Sequence, residues 1–274
     1  MLRANFHTHT YLCKHAGGNV AEYCQAALDS GVSILGFTDH CPHPDSRWSA
    51  VRMDMSELPG YIADIEKAKI DFPQLHILNG MECEYVPEFG DYQRDYFLDE
   101  LGLDYLLGAC HSYLYKGEYH GVHGQTMDAD QLAAYAAYMC ACMRSGIYAA
   151  MAHPDLFGMA IWRWDAAAES CSRRILQCAQ ECCVPLELNA YGLRKPLQTY
   201  AEGERHMYPV AQFWELAAEY DIEVLVGSDA HQPEDVWGNN DDCYEIAQKH
   251  GLKVINDVFV QRVLEAKEAR HRLI

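Results

Sequence analysis

Two histidines separated by one residue stand close to the N-terminus. His7 and His9 follow residues 2–6, a short segment whose pattern predicts a strand. Alternate residues of an extended chain point to the same side, so the two imidazoles can reach one point just beyond the strand. Neutral imidazole is a common ligand of zinc, iron and manganese. Because such a pair also occurs among ordinary core or surface histidines, the prediction of a metal site depends on the rest of the chain.

Further acidic and imidazole side chains follow the ends of later predicted strands. They are His40, Glu82, His111, His153, Asp229 and His231. Imidazoles give affinity for transition metals, and the two oxygens of a glutamate such as Glu82 can join two ions about 3.5–4 Å apart. The chain has 14 histidines, so some will occupy such positions by chance. Their recurrence at strand ends nevertheless favours a hydrolytic centre with several metal ions over a set of core histidines.

Short apolar segments alternate with helical patterns along the chain. The predicted strands after the first are residues 32–37, 76–81, 103–109, 148–152, 184–188 and 223–226. The predicted helices include residues 19–30, 130–144, 166–182, 210–220 and 242–250, and another begins at Ser56. This alternation argues for a parallel sheet with helical crossovers, and the lack of a linker predicts one domain over residues 1–274. A barrel is favoured over an open sheet, because an open sheet would concentrate its site at one switch point.

The composition excludes several classes of protein. Acidic residues outnumber basic ones, 40 to 21, and the net charge of −19 argues against broad binding to nucleic-acid backbones. The same charge fits either cation binding or plain solubility. No apolar stretch approaches the roughly 18 residues of a membrane span, and the first residues have no apolar signal segment. The 12 cysteines form no paired C-x-x-C framework, so we expect reduced thiols and a cytoplasmic location.

Six short motifs occur in a characteristic order. They are His7-Thr8-His9-Thr10, Thr38-Asp39-His40, Gly80-Met81-Glu82, His111-Ser112, Ala152-His153-Pro154-Asp155 and Gly227-Ser228-Asp229-Ala230-His231. Together they resemble the successive motifs of the PHP (polymerase and histidinol phosphatase) superfamily. The resemblance implies a distorted (β/α)7 TIM-like barrel. It also implies up to three divalent ions (zinc, manganese or iron) at the C-terminal ends of the strands.

The resemblance also implies how the ligands divide among the ions. The first ion would be held by His7, His9, Glu82 and Asp229. The second would be held by Glu82, His111 and His153, and the third by His15, His40 and His231.

Within the superfamily, four stretches are similar to the histidinol-phosphatase branch. They are residues 7–16, residues 41–44, residues 81–87, and residues 187–196 followed by Tyr208-Pro209. The segment 108–112 departs from the usual sequence of that branch but keeps a small residue before the histidine. Residues 115–127 are unfamiliar, and we expect them to alter the rim of the pocket.

The resemblance leads to a hypothesis for the reaction. The chain would be a histidinol-phosphate phosphatase of histidine biosynthesis, which releases L-histidinol and phosphate by in-line attack of a metal-bridging hydroxide on phosphorus. Glu82, Asp229 and His231 are the candidate catalytic residues. Asp229 or His231 could protonate the leaving alkoxide, but a metal-bound water could do the same.

Two arginines are candidates for binding the phosphoryl group. Guanidinium binds phosphate through two parallel hydrogen bonds, and the resemblance places arginines near Arg194 and Arg163 in phosphate binding. A surface ion pair is the alternative for Arg194. Stacking on the flanking indoles of Trp162 and Trp164 is the alternative for Arg163.

Two other functions stay open at this point. One is a PHP phosphoesterase that acts on a different substrate, such as a nucleotide or an oligonucleotide end. The acidic charge speaks against the polynucleotide version, so the expected partner is a small-molecule phosphomonoester. The other is a non-catalytic metal-binding module, which would be expected to have lost ligands, and none is missing.

Overall fold

The computed structural model describes residues 2–272, and its centre is one sheet of eight parallel strands whose order follows the chain. The strands are β1 (Ala4–Asn5), β2 (Ile34–Phe37), β3 (His76–Glu84), β4 (Tyr105–Ala109), β5 (Ala150–Met151), β6 (Leu186–Asn189), β7 (Glu223–Gly227) and β8 (Lys253–Val254). The longer helices are α1 (Val20–Asp29), α2 (Leu58–Asp71), α3 (Ala129–Arg144), α4 (Ala166–Cys182), α5 (Ala211–Ala217), α6 (Asn240–Lys249) and α7 (Asn256–His271). Parallel pairing with helical connections is the predicted arrangement.

The sheet curls until its first and seventh strands meet beyond their carboxyl ends. There the backbone N–H of His9 donates to the carbonyl of Ala230 at 2.9 Å, and the N–H of Ala230 donates to the carbonyl of His7 at 3.3 Å. Closer to the strands, Asn256 donates to the carbonyls of Ala4 at 3.1 Å and Val226 at 2.8 Å. The side chain of Asn256 thus takes the place of backbone hydrogen bonds along part of the contact between β1 and β7. This confirms the predicted distorted (β/α)7 barrel, with β8 added beside β7.

One apolar cluster fills the inside of this ring. It draws side chains from six strands and from α7: Ala4, Phe6, Ile34, Leu78, Tyr105, Leu107, Ala150, Leu225, Ile255, Phe259 and Val263. Strands that are not neighbours can share one cluster only across the interior. Tyr105 needs a small residue opposite, since a Cβ at Gly36 would lie 2.1 Å from its hydroxyl oxygen. Helix α7 therefore packs into the end of the barrel that faces away from the carboxyl ends of the strands.

The outer helices pack on the other face of the strands, as their periodicity predicts. Asn19 caps α1 in a capping box with Glu22, and α4 begins and ends where the pattern predicts. Strand β3 continues three residues past its predicted end, to Glu84, because it pairs with β4 through that residue. None of the helices among residues 2–272 combines the length and apolar character needed to cross a bilayer.

The structure contains two hairpins that the sequence pattern did not predict. The first joins Ser112–Tyr115 to Glu118–Gly121, and the second joins Gln198–Tyr200 to Gly203–Arg205. The first hairpin opens the unfamiliar segment 115–127 and carries it over the carboxyl end of the barrel. A stretch of π-helix, Gln93–Glu100, also connects β3 to β4 where we predicted no element.

Candidate metal centre

Four ligand atoms from three parts of the chain converge at the carboxyl end of the barrel. The Nε2 atoms of His7 and His9 lie 3.0 Å apart. The Oδ1 atom of Asp229 lies 3.5 Å from the first and 3.1 Å from the second. The Oε2 atom of Glu82 lies 3.6 Å and 3.5 Å from the same two nitrogens. The structure therefore brings together the four residues predicted to hold one ion.

The second predicted set shares Glu82. Its Oε1 atom lies 2.9 Å from Nε2 of His153 and 3.7 Å from Nε2 of His111. His40 also approaches this carboxylate, with Nδ1 2.7 Å from Oε2. Glu82 is 1% exposed, so both of its oxygens are surrounded by imidazoles rather than by water.

The third predicted set lies side by side. The ring of His15 is 5.3 Å from that of His40 and 4.9 Å from that of His231, measured between centroids. Ligand atoms within 4.8 Å of one another occur in two overlapping groups here, His9 with His40 and His231, and Cys13 with His15 and His231. The buried thiol of Cys13 is a possible ligand that sequence reasoning assigned to no site.

Unpaired atoms in the cluster show that these residues fit a cation. When the ring of His7 is neutral and donates from Nδ1 to Glu187, at 2.8 Å, its Nε2 carries a lone pair that points at the cluster. Oε2 of Glu82 and Oδ1 of Asp229 are buried and have no donor in hydrogen-bond geometry among the residues that the structure describes, although Nδ1 of His40 lies 2.7 Å from Oε2 of Glu82. Buried acceptors gathered without donors are unfavourable unless a positive charge lies between them. Imidazole and carboxylate donors suit zinc, manganese and iron.

Several ligands are oriented by acceptors behind them. His111 donates from Nδ1 to Oε2 of Glu84 at 2.8 Å, His15 donates to the carbonyl of Cys13 at 2.7 Å, and His231 donates to the carbonyl of Asp229 at 3.1 Å. Each bond turns the Nε2 lone pair away from the acceptor and towards the centre.

Glu187 is a site residue that sequence reasoning missed. Its Oε1 accepts from His7, and its Oε2 accepts from the backbone N–H of His153 at 3.1 Å and from Asn189 at 2.8 Å. Glu187 lies in the buried strand Leu186–Asn189, where a carboxylate needs several donors. A charged residue inside an apolar strand was the signal that could have identified it.

Asp39 and Asp155 stand next to predicted ligands in the sequence but accept hydrogen bonds from other groups. Asp39 accepts from the backbone N–H of Thr10 at 2.9 Å, and Asp155 accepts from the N–H of Val210 at 2.6 Å and from the indole of Trp214 at 3.0 Å. None of these three donors is an imidazole. These two side chains therefore fix the loops that carry the ligands.

Charge and burial set the protonation of the carboxylates. Burial disfavours the charged form of Glu82, but the surrounding imidazoles, led by His40, lower its pKa well below the ordinary value. The pKa of Asp229 is lowered in the same way, chiefly by His7 against the effect of burial. Burial lowers the pKa of His231 to about 4. The carboxylates are thus charged and His231 is neutral at neutral pH, which are the forms that bind metal.

His7 occupies the position where positive charge is most favoured. Burial opposes a charged imidazole there, but the neighbouring carboxylates, led by Asp229, raise the pKa of His7 well above its ordinary value. Such a position attracts a cation of either kind, a proton or a metal ion.

A cavity of about 330 Å³ opens over the cluster. Its walls include His15, His40, Glu82, His111, His153, Asp229 and His231, and also Arg52, Glu84, Gly121, His123, Tyr191 and Tyr208. Gly121 and His123 belong to the first hairpin and the residues after it, so the unfamiliar segment does form part of the rim. The ring of Tyr191 stacks on that of His231 at 4.5 Å.

Neither predicted phosphate-binding arginine is part of this wall. Arg163 is exposed, and the structure does not bring it to the cavity or stack it on the flanking indoles. Arg194 is half-buried and donates to the carbonyls of Ser228 at 2.6 Å and Gly238 at 2.7 Å, with Asp235 3.3 Å from its Nε. Its guanidinium fixes the loop that carries Asp229, a role that sequence reasoning did not anticipate.

Comparison with known proteins adds a family and several named relatives. A model of the PHP domain matches residues 5–191. A protein of Deinococcus radiodurans named "Probable histidinol-phosphatase" is 33% identical over 254 residues, which are 84% of this chain and 86% of the relative. A histidinol-phosphatase of Bacillus subtilis is 28% identical over 264 residues, which are 86% of this chain and 96% of the relative.

A solved structure shares the fold. Histidinol phosphate phosphatase from Lactococcus lactis, in complex with zinc, L-histidinol and phosphate, superposes with a TM-score of 0.69 at 16% sequence identity. The superposition covers 92% of this chain and 95% of that one.

Proposed function

We propose that this chain, which belongs to the PHP domain family, is a metal-dependent phosphatase that hydrolyses L-histidinol phosphate to L-histidinol and phosphate in histidine biosynthesis. The observation that best supports this substrate is the 33% identity to a protein named "Probable histidinol-phosphatase" over most of both chains. The buried cluster of imidazoles and carboxylates beneath an open cavity supports the chemistry.

We further propose up to three divalent ions, zinc, manganese or iron, with the ligand sets predicted above. When bound, such ions screen the phosphate dianion and lower the pKa of water enough to supply hydroxide near neutral pH. The chain's own contribution is to hold charged carboxylates and oriented imidazoles in a buried site, where electrostatic stabilisation of the transition state is strong.

The remaining roles are assigned by position. Asp229 or His231, which both line the cavity, would take the proton given up by the attacking water and pass it to the leaving alkoxide, and Glu82 would orient the two halves of the centre. Contacts of Arg163 and Arg194 with the phosphoryl group stay predictions. We also propose that residues 1–274 act as one domain, in the cytoplasm, on a small-molecule phosphomonoester.

The test is release of phosphate by metal-reconstituted protein from L-histidinol phosphate, AMP, an aryl phosphate and a short oligonucleotide. We expect kcat/KM for histidinol phosphate to exceed the others by about 10²-fold, equivalent to about 2.7 kcal/mol of differential transition-state binding. A flat profile, or a preference for the nucleotides, would remove the biosynthetic role and leave a PHP phosphoesterase.

Two histidine variants control for the metal centre. His9→Ala removes a ligand and should abolish measurable hydrolysis of every substrate. His76→Ala removes an exposed imidazole at the start of β3, the strand that carries Glu82, and should leave the rates unchanged. Full activity in His9→Ala would refute the metal-dependent mechanism.

A further inference from the structure

A buried arginine in the cavity wall has no acidic partner. Arg52 is 4% exposed and lines the cavity over the metal cluster. No carboxylate oxygen lies within 4.0 Å of its guanidinium among residues 2–272. Burying a charge without a partner is costly, so natural proteins rarely do it without a use for that charge.

Backbone, imidazole and indole contacts hold the side chain of Arg52 in place. Its Nη1 donates to the carbonyl of Cys41 at 3.0 Å and lies 3.3 Å from Nε2 of His43. The guanidinium carbon lies 5.2 Å from the centre of the Trp48 ring. None of these contacts is with a carboxylate, and the Nε atom has no hydrogen-bond partner in the described structure.

An acidic group in the same wall is already engaged. Glu84 and Arg52 both line the cavity. The oxygens of Glu84, however, accept from His111 at 2.8 Å and from the backbone N–H of Ser112 at 2.7 Å. The guanidinium of Arg52 therefore keeps donors free for an anion that enters the cavity from solvent.

We propose that Arg52 binds the phosphoryl group of the substrate. Among residues 2–272 it is the arginine that lines the cavity, whereas the guanidinium of Arg194 donates to backbone carbonyls. A fixed planar guanidinium matches the geometry of a phosphate and forms short, charge-assisted hydrogen bonds with it. The identity of this anion rests on the proposed function, since the metal cluster beside Arg52 is what makes the cavity a phosphatase site.

The test compares three variants of the metal-loaded protein. Arg52→Met removes the charge but keeps most of the length, and Arg52→Lys keeps the charge but not the fork. Arg47→Met is the matched control, because Arg47 also lies over the Trp48 ring, at 5.6 Å, but is already paired with Asp45 and Glu88. The readouts are the Kd of inorganic phosphate by calorimetry, KM for L-histidinol phosphate, and the thermal midpoint with and without phosphate.

We expect Arg52→Met to weaken phosphate binding by about 10- to 100-fold and to raise KM by a similar factor. Arg52→Lys should lie between this variant and the wild type, and Arg47→Met should match the wild type. Without phosphate, Arg52→Met should melt no earlier than the wild type, because it removes an unpaired buried charge. Phosphate should then raise the midpoint of the wild type more than that of the variant.

Unchanged phosphate affinity in Arg52→Met would overturn the proposal. So would a variant that unfolds early while Arg52→Lys retains full affinity for phosphate, since Arg52 would then only support the fold. If the wild type fails to hydrolyse histidinol phosphate yet its phosphate affinity still depends on Arg52, the anion site stands and the proposed substrate falls.

Discussion

The two ends of the barrel interior share the same strands but hold opposite kinds of side chain. Along β3, Leu78 belongs to the apolar interior. Glu82, four residues and about 13 Å further on, belongs to the cluster of predicted metal ligands. At the apolar end, the ring of Phe6 packs edge-on against that of Phe259 at 4.8 Å. At the other end, Oε2 of Glu82 and Oδ1 of Asp229 are buried and have no donor in hydrogen-bond geometry in the described structure.

This difference separates stability from function within one set of strands. Burial of apolar surface stabilises the fold by about 25 cal/mol per Å². Burial of charged groups costs free energy until a counter-charge arrives. The apolar end, packed against α7, therefore supplies the stability that lets the carboxyl end keep an unfavourable arrangement of ligands ready for a cation.

Phe259→Ala is expected to show the largest effect on stability. Phe259 is 2% exposed and fills the interior between Phe6 and Tyr105, whose rings lie 4.8 and 5.8 Å from its own. The truncation should lower the free energy of unfolding by about 3–5 kcal/mol, since a cavity would open in the packed end of the barrel. Denaturant unfolding measures the loss.

The control is Val258→Ala on the same helix, because Val258 is 41% exposed. It should change the stability by no more than about 0.5 kcal/mol. If the comparison of the two ends is correct, the kcat of the Phe259→Ala fraction that remains folded stays close to that of the wild type. If kcat also falls, by a factor whose free-energy equivalent matches the loss of stability, the two ends are not separable.

Glu187→Gln tests the opposite end and should mainly affect metal binding. The substitution removes the charge beside His7 and replaces one of the two acceptor oxygens by an NH2 group, which meets a donor in either orientation of the amide. We expect metal affinity or activity to fall by about 10- to 100-fold. Competition with a chromophoric chelator gives the metal Kd independently of turnover.

Glu181→Gln is the matched control, since Glu181 lies on α4 and makes its contacts on the surface, with Arg144 at 3.3 Å and Gln177 at 2.8 Å. Its metal affinity should equal that of the wild type. Wild-type metal affinity in Glu187→Gln would mean that the packing of the strand, and not the carboxylate of Glu187, orients His7.

The carboxyl end was more predictable from sequence than its structural support. Ligands such as His7, Glu82 and Asp229 stand at the ends of apolar strands, and parallel strands bring their carboxyl ends to one edge, so local patterns were enough to group them. The periodicity of α4 is equally local. Both predictions depend on contacts within a few residues or on a general rule of topology.

Most of the contacts that we did not predict join residues far apart in the sequence. Glu187 bonds to His7 across 180 positions of sequence, and Arg194 holds a loop 34 positions away. Arg52 lies in an irregular connection, where no periodicity indicates which way a side chain points. The first hairpin was missed because its strands of four residues are too short to show an alternation.

The smallest expected effect lies on the outer surface, where the start of β7 carries an ion pair. Glu223 accepts from Arg262 on α7 at 2.9 Å and from Lys253 on β8 at 2.7 Å. Arg262 is the main cause of a pKa of about 2 for Glu223, against an ordinary value of 4.5. Because the folded pKa is the lower one, the pair stabilises the fold fully above about pH 4.5, and this contribution is lost as the pH falls towards 2.

Glu223→Gln should therefore lower the free energy of unfolding at pH 7 by no more than about 1 kcal/mol, since the arginine is largely exposed and solvent screens the pair. The difference from the wild type should shrink between pH 4.5 and 2, and also in high salt. Glu265→Gln, on the same helix as Arg262 and bonded to Gln261, is the control and should leave the free energy of unfolding at pH 7 close to that of the wild type. Urea unfolding at several pH values gives both curves. A difference that persists at pH 2 would mean that Glu223 acts through packing, and the apolar end of the barrel would then owe none of its stability to charge.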